Sequence, residues 1–371
     1  METVKRIMGG LMLFCFALRL AAAEESSLSL VPYGYVRLDA VYETGNSSHG
    51  NYIIWAANPG ESDGLFHITA NQTRLGLRIA AGKVGSFTLG GCVEIDFYGG
   101  GAENKAFNYM RHAYLELKND HWSIIAGQTW DIINPLNPAT LNYAVMWSNG
   151  NIGYRRPQLS VHYRVQAGKT QLILEGGIFR TIAGDLDSDG IDDGTAQGLP
   201  TLQGRIAAKV PLRGDGFVQI GISGHTGNTK GKVPYDSHSL NVDLTLTLSR
   251  RLTLQGEFYS GKDMLPFMGG IAQGVNSTSK REIESTGLYA AVQAGLTTRL
   301  KLNAGWGQDT PKRETLAPGN RSKSQTVFAN LIYTFRKPFA MGLEIARVAT
   351  DTLGGKSQRT LRFQHCWTLS F

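Results

Sequence analysis

Residues 239–250 read SLNVDLTLTLSR, and apolar and polar side chains alternate strictly in this stretch. In an extended chain Leu240 and Leu244 share one face while Asn241 and Asp243 share the other, because successive side chains of a β-strand point to opposite sides. A strand with one apolar face and one polar face is typical of a wall between hydrocarbon and water. The stretch therefore predicts a membrane-facing β-strand.

The same period of two recurs in segments of about ten residues, the length with which a tilted strand crosses a bilayer. We predict sixteen strands, at 33–43, 67–80, 86–98, 107–118, 121–129, 154–166, 170–180, 201–210, 216–226, 238–249, 251–260, 286–297, 299–308, 324–336, 338–349 and 358–371. Short turns between them alternate with long polar loops at about 44–66, 130–153, 181–200, 261–285 and 309–323. This alternation predicts an all-β fold, a sixteen-stranded antiparallel transmembrane barrel with short periplasmic turns and long extracellular loops.

Composition agrees with this class. The chain has 371 residues with 45 glycines, 12 prolines and no fixed glycine period, which excludes collagen and favours many tight turns. No stretch after residue 23 approaches 18 consecutive apolar residues, so no mature transmembrane helix is expected. No shift in composition divides 24–371, which predicts a single barrel domain. Basic residues alternate with acidic ones and form no patch, so no nucleic-acid partner is expected.

Residues 1–23 have a different character, with Lys5 and Arg6 ahead of an apolar stretch and small residues before Glu24. This pattern predicts a signal peptide and export, and the alternative is an uncleaved signal anchor. In an exported protein Cys92 and Cys366 could form a disulfide. The simpler interpretation is that both are small strand residues without a bridge, because sequence alone cannot pair them.

The chain ends on a strand that reads HCWTLSF at 365–371. Trp367, Leu369 and Phe371 share its apolar face, and the two aromatic residues fall where a periplasmic aromatic girdle is expected. This strand should pair with the first, at 33–43, because only closure satisfies both edges in hydrocarbon. A terminal Phe resembles the signal for outer-membrane assembly, so the barrel-assembly machinery and outer-membrane lipids are expected partners.

The predicted third loop, at 130–153, is the main candidate functional region. It contains two prolines and several aromatic residues, so it is too apolar to extend into water and too interrupted to be a strand. Folded into the barrel, it would narrow the pore and present Trp130, Asp131 and Asn134 to solutes. The alternatives are that it packs on the rim or reaches over a neighbouring subunit.

The strand faces also predict the charges of the lumen. A charge facing lipid at mid-depth costs about 2–4 kcal/mol, so basic residues opposite an apolar face are assigned inward. The inward basic set is Arg74, Arg78, Arg156, His162, Arg164, Arg205 and Lys209. Glu94 and Asp96 oppose it, and such opposed charges select solutes, unless each is simply a solvated or salt-bridged wall residue. Arg111 lies on the apolar phase of its strand, so either a bulge shifts the register or it lies at the interface.

An acidic loop carries a separate signal, GDLDSDGIDDGT at 184–195. Its candidate metal ligands are Asp185, Asp187, Asp189 and Asp193, at the spacing of a calcium loop with Gly190 at the sharp turn. Position twelve is Ala196, where an EF-hand requires Glu, so a complete EF-hand is excluded. A weak external Ca²⁺ site and a solvated acidic loop are both compatible with the sequence.

Three stretches together resemble one known family: VEIDFYGG at 93–100, MRHAYLEL at 110–117 and AGQTWDIINPLNPATLNY at 126–143. They are similar to the DcaP-like outer-membrane porins. The resemblance implies a sixteen-stranded trimeric channel in a Gram-negative outer membrane that passes small, often anionic, organic solutes.

The expected function is therefore that of a porin for small hydrophilic solutes such as carboxylates. The alternative is a structural or adhesin-type barrel without a substrate-specific channel. The sequence contains no Gly-x-Ser-x-Gly and no His-Glu-x-x-His, so no enzymatic activity is expected. No cofactor is expected besides the possible Ca²⁺.

Overall fold

The computed structural model describes residues 28–48, 51–57, 64–100, 105–184, 188, 190–231 and 233–371. Their strands are β1 Ser29–Glu43, β2 Leu65–Thr69, β3 Arg74–Val84, β4 Phe87–Asp96, β5 Tyr109–Lys118, β6 Trp122–Trp130, β7 Arg155–Ala167, β8 Thr170–Phe179, β9 Thr201–Pro211, β10 Phe217–Lys230, β11 Pro234–Ser249, β12 Leu252–Lys262, β13 Glu284–Gly295, β14 Leu300–Pro311, β15 Arg321–Arg336, β16 Phe339–Thr352 and β17 Gln358–Ser370.

Helical structure among these residues is confined to single turns: a short helix α1 at Asp193–Ala196 and 3₁₀ turns at Leu265–Phe267 and Arg313–Thr315. None of the helices in the described ranges has the length and apolar character needed to cross a membrane. The predicted signal peptide at 1–23 lies outside the described residues, so its cleavage stays a prediction.

The strands form one closed antiparallel sheet. β17 pairs with β16 on one side and with β1 on the other, where Leu38 lies opposite Trp367. β2 pairs with the second half of β1 and β3 with its first half, so β2 and β3 together make one span. The barrel therefore has sixteen spans, which confirms the predicted fold class and the predicted pairing of the last strand with the first.

The strand predicted at 67–80 is interrupted in the structure by a turn between β2 and β3. At this turn the Thr73 hydroxyl takes the place of the backbone hydrogen bonds between strands. It accepts from the Arg37 backbone N–H at 3.0 Å and donates to the Arg37 carbonyl at 3.2 Å. The sequence carried a signal of this break that the predicted strand at 67–80 overlooked, because Phe66 and Ile68 before the turn and Leu75 and Leu77 after it lie on opposite phases of a period of two.

The outside of the barrel is apolar and the inside is polar. Along β11, Leu240 is 63% exposed whereas its neighbour Asn241 is 3% exposed, and the alternation continues along the strand. A water-soluble protein of this composition would bury such leucines. Leaving them exposed is favourable only against hydrocarbon, so this exterior is suited to a lipid bilayer.

Connection lengths sort by the end of the barrel, as predicted. The turns at one end have at most five residues, whereas the other end carries the long connections 44–64, 97–108, 131–154, 180–200 and 263–283. Three connections at this end are exceptions. The one at 231–233 is short because β10 and β11 continue beyond their predicted ends, the predicted long loop at 309–323 spans only 312–320, and the connection at 353–357 is as short as a turn. At the short-turn end Trp367 stacks on Phe339 with ring centroids 5.5 Å apart, which places aromatic residues where the girdle was predicted.

Candidate functional site: the barrel interior

The third loop, which spans 131–154 in the structure, lies inside the barrel. Inward side chains from four strands of the wall accept hydrogen bonds from its backbone N–H groups: Gln203 from Ile132 at 3.0 Å, Glu257 from Leu136 at 3.0 Å, Glu344 from Leu141 at 2.6 Å and Asp309 from Gly150 at 2.8 Å. β9, β12, β14 and β16 supply these acceptors. A segment on the rim could not reach all four, so the structure favours the predicted inward folding.

The loop also fits closely against the wall. Gly150 has a φ of +98°, and a Cβ atom at this position would lie 2.0 Å from the carbonyl oxygen of Leu288 on β13. Only glycine permits both this backbone conformation and this approach. The Leu141 carbonyl accepts from Arg37 and from Gln364, each at 3.0 Å, which fixes the loop to the β1–β17 seam.

A second segment, the sixth loop at 263–283, also enters the barrel, although its sequence was interpreted only as a long polar loop. Phe267 packs on His225 with ring centroids 3.9 Å apart, and the Ser148 N–H donates to the Met268 carbonyl at 2.8 Å. The sixth loop therefore supports the third from the side. The available signal was the apolar run MLPFMGGI at 264–271, which is unsuited to a loop in water.

Asp131 and Asn134, which the sequence assigned to the pore surface, are buried and bonded to other polar side chains. Arg156 is fully buried, and its Nε lies 2.8 Å from Asp131 Oδ1. Gln203 donates to the same carboxylate at 2.6 Å, and Asn134 donates to Asn151 in the same loop. These contacts tie the start of the third loop to its end, so these three of the predicted site residues hold the loop rather than offer free charge.

Trp130 lies between strand and loop. Its ring is half-buried, faces the Arg155 guanidinium at 4.4 Å and lies 6.3 Å from Trp147 of the third loop. Arg155 is 2% exposed and is surrounded by aromatic rings, so its charge is stabilised largely by their negative faces. Sequence reasoning missed Arg155, because it lies on the opposite strand phase from Arg156.

Glu94 and Asp96 belong to one ion-pair network. Arg111 Nε lies 2.7 Å from Glu94 Oε1 and its Nη1 lies 2.7 Å from Asp96 Oδ2, while Arg74 Nε lies 3.4 Å from Glu94. The pairing of β4 with β5 shifts between Glu94 and Ile95, which leaves Arg111 as an inserted residue. Of the two alternatives for Arg111, the structure therefore shows the bulge, which turns its side chain to the interior.

Arg205 and His162 meet a second acidic group. Arg205 lies 2.7 Å from Glu175 and 2.8 Å from Asp243, and His162 Nδ1 lies 2.8 Å from the same Glu175. A guanidinium between two carboxylates has its charge compensated, so this cluster stiffens the wall between β7 and β11. Glu175 and Asp243 were not among the predicted site residues.

Arg78 and Arg164 differ from the other predicted arginines. Within the described residues neither has a carboxylate in ion-pair distance, and Arg78 instead lies over the Tyr33 ring at 4.2 Å. Arg78 lines an interior cavity of about 410 Å³ together with Glu94 and His112. Arg164 lies on the same phase of β7 as His162 and is exposed. These two side chains keep uncompensated positive charge on the inner side of the wall.

The candidate calcium ligands are only partly described. Asp185, Asp187 and Asp189 lie outside the described residues, and Asp193 is buried at the start of α1. Asp192 caps that helix by accepting from Gly194 and Thr195. The described residues contain no cluster of three metal-binding side chains, and the calcium site stays a prediction.

Cys92 and Cys366 are both buried and free. They lie on β4 and β17, and the Cys92 sulfur is 3.1 Å from the Tyr33 hydroxyl. The interpretation as small strand residues is therefore correct.

Comparison with solved structures supports the same architecture. The outer-membrane channel DcaP of Acinetobacter baumannii superposes with a TM-score of 0.78 and 22% identity over 93% of this chain and 98% of the channel. The chain therefore has the same barrel fold as this channel. This confirms the resemblance seen in the sequence at the level of the fold.

More distant barrels agree with this DcaP-like architecture. An anion-selective porin from Comamonas acidovorans has a TM-score of 0.61 at 12% identity, over 93% of this chain and all of the porin. The trimer form of OmpT, an outer-membrane protein of Vibrio cholerae, has a TM-score of 0.57 at 13% identity, over 93% of this chain and all of OmpT. No family model matches the sequence, and neither does any curated protein sequence.

Proposed function

We propose that the chain is an outer-membrane porin that passes small hydrophilic solutes and prefers anions such as carboxylates. The observation that carries the proposal is a closed barrel, apolar outside and polar inside, with the third loop bonded across its interior. A structural barrel needs no such interior segment, whereas a segment that narrows a pore gives a channel its selectivity.

The anion preference rests on which charges are left without a partner. Arg74, Arg111, Arg156 and Arg205 are compensated by carboxylates, so they contribute little net field. Arg78 and Arg164 are not compensated in the described part of the chain, and their charge reaches the solution inside the barrel. A basic excess on a narrow, partly desolvated passage attracts carboxylates. The anion-selective porin of similar fold supports this proposal.

The proposal also includes the export of the chain, its insertion into the membrane and its assembly. A cleaved signal peptide at 1–23 would export the chain, the barrel-assembly machinery would insert it, and three copies would form a homotrimer. The apolar exterior suits outer-membrane lipids. OmpT, a barrel of similar fold, has been solved as a trimer, which supports the assembly.

Single-channel recording of the refolded protein in asymmetric salt tests the selectivity. The variant Arg78→Gln, Arg164→Gln should shift the reversal potential toward cations. The shift should shrink as ionic strength rises, because the Debye length is only about 8 Å at 0.15 M salt. The matched control Arg250→Gln, Arg251→Gln removes two positive charges from the turn between β11 and β12 and should change little.

Two outcomes would contradict the proposal. A wild-type channel that prefers cations at low salt, or a lumen variant with unchanged reversal potential, would refute the anion preference. A correctly folded barrel without conductance would favour the alternative of a structural or adhesin-type barrel.

A further inference from the structure

Three neighbouring strands change from apolar to polar and charged residues on their outward faces, within a narrow band near the long-loop end. Toward the long-loop end, the next outward-facing residue after Ile345 on β16 is Arg347. On β17, which runs the opposite way, the next after Leu361 in this direction is Arg359. On β15 the last exposed apolar residue of this face is Val327, which lies directly opposite Arg347. Arg359 lies opposite Ala349 and Lys323 opposite Asp351, so the change occupies a band between the levels of residues 347 and 351 on β16.

The side chains in this band enclose a cavity of about 220 Å³ on the outside of the wall. Its lining includes three cationic residues, Lys323, Arg347 and Arg359, and one acidic residue, Asp351. Arg347 and Arg359 are exposed, and among the described residues none of the three cations forms an ion pair. The Asp351 carboxylate accepts from the Ser357 hydroxyl, so the cavity keeps a net positive charge of about two. We name this set the outer basic cavity.

The surface below the outer basic cavity is continuous and apolar. Exposed fractions are 51% for Val327, 47% for Ile345, 39% for Leu361 and 43% for Phe363. Trp306, which is 37% exposed, borders the cavity on the same outward face, at the position that interfacial Trp residues occupy. An occupant must therefore present negative charge at the edge of the membrane and hydrocarbon immediately beneath it.

We propose that the outer basic cavity binds the phosphorylated headgroup of an anionic glycolipid of the outer leaflet, with the acyl chains along the apolar strip below. Charge complementarity favours this occupant. Guanidinium groups bind phosphate oxygens in a fork, and two arginines on adjacent strands can hold one phosphate group from both sides. In a homotrimer each contact would join two different faces of the chain, so a second copy at this cavity is an outcome that the oligomeric state of the cavity variant tests.

The inference rests on the outward face alone and does not depend on what the lumen transports. Native mass spectrometry of the full chain, folded in neutral detergent, tests it with bis-phosphorylated lipid A as the probe. Dephosphorylated lipid A and inorganic phosphate serve as separate arms. The wild type should retain the bis-phosphorylated lipid, release the dephosphorylated one and show no comparable affinity for phosphate alone.

The variant Arg347→Gln, Arg359→Gln should bind the bis-phosphorylated lipid about 25-fold more weakly, since each basic residue contributes about fivefold at an anionic lipid surface. Both side chains are exposed, so the barrel should fold and keep its heat-modifiable mobility on gels. The control variant Arg299→Gln, Arg336→Gln removes two cations from the short-turn end of β14 and β15 and should bind as the wild type does.

Three binding results would overturn the inference. These are equal lipid binding by the cavity variant and wild type, equal binding of the phosphorylated and dephosphorylated lipids, and binding of inorganic phosphate as tight as that of the lipid. Loss of the oligomer in the cavity variant would also overturn it, because the face would then be a contact between subunits. Unchanged conductance of the cavity variant would leave the lumenal function intact and separate the two proposals.

Discussion

Arg111 and Glu94 form an ion pair across a β-bulge, with Arg111 Nε 2.7 Å from Glu94 Oε1. The bulge inserts Arg111 into β5 and turns it inward, where it also meets Asp96 at 2.7 Å. All three residues are at most 6% exposed. The network therefore holds the wall beside the third loop, whose Tyr143 hydroxyl lies 3.4 Å from Arg111.

The first prediction concerns this pair. Arg111→Met should destabilise the barrel by about 3–5 kcal/mol, because it leaves two buried carboxylates without their main cation. The midpoint of the heat-induced mobility shift on gels measures the loss. Arg250→Met serves as control, since its pair with Asp215 is largely exposed and should contribute little. Equal midpoints for Arg111→Met and wild type would contradict the structural role of the network.

The second prediction concerns the third loop. Glu344 on β16 accepts from the Thr140 hydroxyl at 2.7 Å and from the Leu141 N–H at 2.6 Å. Glu344→Ala should release this part of the loop, raise the single-channel conductance and broaden the size of solute that passes. Glu344→Gln keeps one acceptor oxygen and should show a smaller effect. Leu343→Ala, on the outward face of the same strand, provides the control.

If Glu344→Ala left conductance and solute size unchanged, the third loop would not form the constriction. The conductance measurement distinguishes this outcome from misfolding, because a misfolded chain would form no channel.

The third prediction is a pH dependence of the sixth loop. The pKa of Asp263, the first residue of that loop, is raised to about 7, chiefly by burial. The Thr229 hydroxyl lowers this pKa, and the nearby carboxylates of Glu282 and Asp193 raise it. In the unfolded chain the group titrates near 3.8. Between these values the folded protein holds a proton that the unfolded chain has lost, so the docking of the loop should weaken as pH rises from about 4 to 7.

Limited proteolysis of the sixth loop at several pH values measures this effect. Asp263→Asn keeps the size of the side chain without its charge, so the loop should be protected equally across the range. Wild-type cleavage that stays constant between pH 4 and 7 would show that Asp263 does not ionise on this scale.

The fourth prediction concerns the last residue. The Phe371 N–H donates to the Gly34 carbonyl at 3.0 Å and its carbonyl accepts from the Gly34 N–H at 3.2 Å. Deleting Phe371 should therefore lower the yield of assembled barrel, because the closing ladder loses two hydrogen bonds at the membrane edge. Phe371→Leu keeps both backbone bonds and separates their contribution from that of the aromatic ring. A yield equal to wild type after the deletion would contradict this role in closure.

The sequence alone determined the architecture, because its signal is local. Alternation in stretches such as 239–250 assigns each side chain to lipid or water, and a shift by one residue would expose Asn241 and Asp243 to hydrocarbon. The strand count, the sorting of connections and the closure by the last strand followed from that pattern. It also assigned Arg78 and Arg205 to the interior phase of their strands.

Tertiary structure alone decided which interior charges are compensated and which segments fill the barrel. Arg156 and Arg78 looked alike in the sequence, yet Arg156 is enclosed by Asp131 and the sixth loop, whereas Arg78 faces an open cavity. The bulge at Arg111 likewise required the neighbouring strand. These differences depend on contacts between residues far apart in the chain, and periodicity within one strand carries no information about its partners across the lumen.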